Sequence, residues 1–144
     1  MASAPIPSVV AMLICDQVII EQVTNKKTLI GVFDRFFSLS YPAMLPRLAI
    51  YVKLADAVGN YLFRLRTVKL KDESAIAEIR LEAQISEVDQ YTELALNLSP
   101  FQIPEQGKYE FQLYIGENYL HRVTMQAELA PLPGGLPQWP QQNS

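Results

Sequence analysis

Cysteine and histidine are almost missing from this chain of 144 residues, in which Cys15 and His121 are the only representatives. A lone cysteine excludes an internal disulfide, and one residue of each kind leaves too few soft ligands for a Cys/His zinc site. A reducing compartment, the cytoplasm, is the expectation. Acyl-transfer chemistry would have to run through His121, the one imidazole available as a base. Gly-rich phosphate loops, HExxH and paired-carboxylate glycosidase signatures are missing too, so neither an enzyme nor a cofactor is expected. Basic charge is not concentrated anywhere: 12 Lys and Arg stand against 15 Asp and Glu, for a net charge of −3, and the cations are spread along the chain. That is not the footprint of a nucleic-acid binder. The apolar run from Val9 to Cys15 stops at Asp16, too short for a membrane span, and the residues before it carry no basic n-region for a signal peptide.

What is present is a globular pattern, with 49% apolar and 19% charged residues in a length that suits one autonomous domain. The expected organisation is an arm over residues 1–8, a β-rich domain over 9–129 and a Pro-rich tail over 130–144. The domain is built around a hairpin. Val9 to Ile20 is a near-continuous apolar strand suited to the middle of a sheet. Thr24 to Lys27 turns the chain, with Asn25 able to take the left-handed conformation, and Thr28 to Phe37 returns as a β-branched and aromatic strand. Gly31 inside that strand predicts a bulge or a close neighbour. Asp16 interrupts a buried strand and must face solvent or find donors, as a backbone hydrogen-bond acceptor or in an interface or ion contact. Cys15 reads as an inert core thiol.

Pro42 and Pro46 make Ser40 to Pro46 a connection, because neither can donate to a ladder. Leu48, Ile50, Val52 and Leu54 then alternate with their neighbours as a strand, and Asp56 to Asn60 turns. Tyr61, Phe63, Leu65 and Thr67 face one way while Arg64 and Arg66 face the other. Ala75 to Ala83 is rich in helix formers. Yet Ala77, Ile79, Leu81, Ala83 and Ile85 keep a period of two that a helix would scatter around its circumference, so the segment is a strand. Tyr91 to Leu98 follows, then a loop from Ser99 to Gly107, then a hairpin of Lys108 to Ile115 and Tyr119 to Glu128. Eight strands at spacings of about 8–12 residues predict an all-β fold, an eight-stranded antiparallel β-sandwich of immunoglobulin-like or C2-like Greek-key type, with a closed barrel as the alternative. Tyr109, just after the Gly107 turn, is either the corner tyrosine of such a sandwich or a plain core aromatic. His121 is expected to be partly buried on its strand.

Ile14-Cys15-Asp16, then Thr28-Leu29-Ile30-Gly31-Val32-Phe33, then Tyr41-Pro42 and the strand Leu48 to Leu54 together resemble an uncharacterised family of small bacterial proteins. That family shares a "CD, polar turn, SLIG-V-F/Y, FP" pattern. Thr28 stands in place of Ser and Tyr41 in place of Phe. The resemblance covers about the first 70 residues well and the rest only in pattern, implies a β-sandwich, and carries no activity onto any residue.

Two sets of residues remain as candidates for function. Asp56, Asp72, Glu73 and Asp89 fall in separate loops, where a C2-like sandwich can gather carboxylates around Ca²⁺, although no dedicated calcium spacing is present. In the charge-free tail, Leu136, Pro137, Trp139 and Pro140 combine a PxxP spacing with the sole tryptophan and could anchor in a groove of another chain. The expected function is therefore a non-catalytic protein-interaction or structural module. It would contact a protein partner or a second copy of itself through strand edges or the tail. A ligand-binding C2-like sandwich for Ca²⁺, lipid or glycan is the alternative.

Overall fold

The first strand sets the frame. In the computed structural model, which describes residues 4–86 and 91–131, β1 covers Ser8–Ile20. It is followed by β2 (Lys27–Val32), β3 (Arg35–Ser38), β4 (Ala43–Leu45), β5 (Ala49–Ala55), β6 (Gly59–Lys69), β7 (Ser74–Ile85), β8 (Tyr91–Asn97), β9 (Phe101–Ile103), β10 (Gly107–Ile115) and β11 (Asn118–Leu129). Every element among the described residues is a strand, Ser74–Ile85 included. There the period-two alternation outweighs the helix propensity of Ala, Glu and Leu, because Ala77, Ile79, Ala83 and Ile85 pack toward the core while the strand pairs laterally with β6.

The strands form a four-stranded sheet in the order β2-β1-β5-β8, a five-stranded sheet in the order β3-β11-β10-β6-β7, and a β4-β9 pair. One apolar core takes side chains from both large sheets. Met12, Ile14, Ile50, Val52, Leu54, Leu94 and Leu96 come from the first, and Tyr61, Phe63, Leu65, Tyr109, Phe111, Leu113 and Met125 from the second. Burial of each such side chain contributes about 1.5–3 kcal/mol, and the alternation read from the sequence is what aims them inward.

The strand count is eleven where eight are expected, for two reasons. The return strand of the hairpin is not continuous to Phe37. Phe33 N–H still donates to Ile14 C=O (3.0 Å) in the first sheet, whereas Asp34 C=O already accepts from Gln126 N–H (2.8 Å) in the second. The chain changes sheets between those two residues. β3 then lies parallel to β11, so the expected purely antiparallel arrangement is also corrected. Second, the Pro-rich connection and the Ser99–Gly107 loop each hold a three-residue strand, β4 and β9, which pair with each other. Pro42 and Pro46 flank β4, and Pro100 and Pro104 flank β9, so the prolines end these strands rather than forbid them.

Tyrosine hydroxyls tie down the ends of the domain. Tyr109 is fully buried and donates to Glu105 C=O (2.6 Å), four residues upstream, which is the anchoring expected of a corner tyrosine. Tyr61 donates to Pro5 C=O (2.6 Å) and holds the N-terminal arm. Tyr41 donates to Glu128 C=O (2.6 Å), a bond that Phe at this position could not make.

Candidate functional site

β1 pairs with β5 only as far as Cys15, opposite Ala49; beyond it Gln17 to Ile20 pair with β2 alone. The hairpin departs from the sheet at Asp16 and Gly31, which face each other between the pairs Cys15–Val32 and Gln17–Ile30. Gly31 has φ +66, and a Cβ built on it would lie 2.5 Å from Asp16 Oδ2. Only glycine takes that backbone at low cost and leaves that space. At the far end Asn25, with φ 60, closes the turn, and its N–H donates to Glu21 C=O (2.8 Å).

The free part of the hairpin curls over the outer side of the sheet. Lys27 Nζ, at the start of β2, lies 3.3 Å from Glu93 Oε1 on β8, the opposite edge of the same sheet. Tyr51 of β5, between them in the sheet order, donates its hydroxyl to the same carboxylate. Burial, and then this bond, push the Tyr51 hydroxyl up to about 12. The Tyr51 bond, reinforced by Lys27, holds Glu93 below the usual glutamate range. The curl accounts for the burial of Cys15 (0% exposed), Ala49 (5%) and Tyr51 (9%) on a face turned away from the core. Cys15 is an inert thiol here, raised by burial and directed at Ala49 C=O (3.7 Å).

A cavity of about 420 Å³ remains between the hairpin and the sheet. Gln17 and Val18 of β1 line it together with Ala95 and Asn97 of β8, and Ala49 of β5 lies between them in the sheet. Asp16 and Arg47 bring one charge of each sign. Neither side chain makes an ion pair or a hydrogen bond with a described residue. Ala49 and Ala95 each present only a methyl group to the cavity.

The hairpin exposes apolar side chains on both faces: Ile19, Ile20, Ile30 and Val32 are 40–55% exposed and Val23 at the turn 91%. Among the described residues β2 is also a free sheet edge, and its single charge, Lys27, is engaged by Glu93. One edge of the other large sheet, β7, differs. β7 carries Glu78, Arg80 and Glu82, and Glu78 pairs with Arg64 (2.9 Å) and Arg80 (3.1 Å). Charges of that kind protect an edge from further pairing, and β2 lacks them.

The other candidates do not converge. His121 is exposed on β11 rather than partly buried, although it pairs with the buried Leu113. Among the described residues no group of three His, Cys, Asp or Glu side chains could hold a metal ion. Asp72 is committed locally to Lys69 (3.3 Å) and the Ser74 hydroxyl (2.6 Å), which with the Ser74 N–H hold its carboxyl below the usual range. Asp89 and the tail residues Leu136, Pro137, Trp139 and Pro140 lie outside the described residues. Lys27, Tyr51, Glu93 and Arg47 carry no sequence signal as a group. They come from separate strands and loops, and only the curl of the sheet assembles them.

Among the described residues, no helix is long and apolar enough to cross a membrane. No curated protein matches the chain. Residues 10–128, the hairpin and both large sheets included, match a family of unknown function, DUF6941, and the chain belongs to that family.

Proposed function

We propose that this domain is a non-catalytic interaction module with an immunoglobulin-like sandwich fold, and that its contact element is the free edge of β2. The partner in this reading is a second copy of the chain. The observation that carries it is the unprotected edge: six exposed or half-buried residues, no proline, and one charge already neutralised within the chain. Antiparallel pairing of Lys27–Val32 with its own copy sets Ile30 against its own copy at the two-fold axis and sends the two lysines to opposite ends. The segment is thus self-complementary, as an isologous interface requires. Ile19, Ile30 and Val32 would be covered at the same time. Strand addition of this type draws affinity from backbone hydrogen bonds and specificity from alternate side chains. The corner bond from Tyr109 to Glu105 supports the immunoglobulin-like assignment. The buried, thiol-form Cys15 supports a cytoplasmic setting.

Amide hydrogen exchange tests the edge directly. Uptake over residues 27–32 falls as wild-type protein is concentrated, while Ile30→Lys, exposed in the single chain and therefore tolerated by the fold, exchanges there at one concentration-independent rate. Exchange over β2 that is fast and identical in both proteins at every concentration contradicts the reading.

A further inference from the structure

We infer that the cavity beneath the β1–β2 hairpin binds a small zwitterion of the amino-acid or dipeptide class, with its ammonium on Asp16 and its carboxylate on Arg47. The inference is independent of self-association through β2. Asp16 and Arg47 line the same cavity, carry opposite charges and are paired neither with each other nor with any other described residue. Two such groups left unpaired at one opening are each satisfied by a ligand that carries both complementary charges, and charge-assisted hydrogen bonds are the strong kind. The Gln17 side chain, which lines the same cavity, offers an amide. Asn97 uses its Oδ1 to accept from Ser99 N–H (3.0 Å), which leaves its NH₂ available. Val18, Ala49 and Ala95 add an apolar wall for a small side chain.

The size selects the class. At about 420 Å³ the cavity stands near the lower end of small-molecule sites, a size that suits a dipeptide. A single carboxylate also falls short of the oxygen ligands that Ca²⁺ takes. Asp16 is rigidly placed for the role because its carboxylate packs on Gly31, and the Lys27–Glu93 contact holds the hairpin over the cavity.

The test is a titration of the full chain, followed by NMR shifts of the Gln17 and Asn97 side-chain amides and by calorimetry. The probes are the free L-amino acids and Ala-Ala, beside N-acetylalanine, which lacks the ammonium, and alaninamide, which lacks the carboxylate. Wild-type protein binds at least one free zwitterion and binds both blocked alanines at least tenfold more weakly than alanine or Ala-Ala. Asp16→Asn, isosteric and compatible with Gly31, abolishes the discrimination against N-acetylalanine. Arg47→Ala abolishes that against alaninamide. Ile30→Lys retains full binding, which separates this site from the β2 edge. Silence of the wild-type chain toward every free zwitterion overturns the inference, as does binding that Asp16→Asn and Arg47→Ala both leave unchanged.

Discussion

The carboxylate of Asp16 occupies the space that a side chain on Gly31 would need, with Oδ2 2.5 Å and Cγ 2.8 Å from the position of a built Cβ. The contact sits where the hairpin leaves the pairing of β1 with β5. It joins an acid that breaks an apolar strand to a glycine that breaks a β-branched one.

Gly31→Ala suffers twice, from a left-handed φ of +66 and from the clash with Asp16. The expected loss is about 1–3 kcal/mol of unfolding free energy in urea. Adding Asp16→Ala recovers the steric part and leaves the backbone part, so the double variant falls between wild type and Gly31→Ala.

The Tyr51–Glu93–Lys27 contact gives a defined acid response. The folded-state pKa of Glu93 is depressed, so its contribution is complete above the ordinary value of 4.5 and is lost as pH falls through and below it. Tyr51 is raised to about 12, so its contribution is complete below 10 and is lost only as pH rises toward the folded value. Glu93→Gln therefore costs about 1 kcal/mol at neutral pH, the pair being partly exposed, and the difference from wild type shrinks in acid. Chemical unfolding across the acid limb measures it.

Tyr109→Phe keeps the buried ring and removes the donor to Glu105 C=O. A loss of about 1–2 kcal/mol is expected, with the strand β10 otherwise intact by circular dichroism. His121→Ala, on the exposed start of β11, changes stability by less than about 0.5 kcal/mol.

Much of the architecture is legible in the sequence where alternation runs for six residues or more. The inward sets on β5, β6, β8 and β10, and the choice of strand over helix for Ser74–Ile85, follow from period two alone. β4 and β9 are three residues each, too short for any period to show, and their flanking prolines read as a veto on pairing when they are only its limits. The change of sheet between Phe33 and Asp34 leaves no mark beyond one acidic residue. Gly31 and Asp16 each stand out in the sequence, but their partnership does not, because it rests on the register of the hairpin. The curl that unites Lys27, Tyr51 and Glu93 across the sheet is a tertiary result with no local signature.

Self-association through β2 is the claim on which the proposed role depends, and sedimentation velocity over a wide range of protein concentration tests it most directly. The account predicts a species of twice the 16.3 kDa chain mass that dissociates on dilution and that Ile30→Lys does not form. A wild-type mass of 16.3 kDa at every concentration contradicts it.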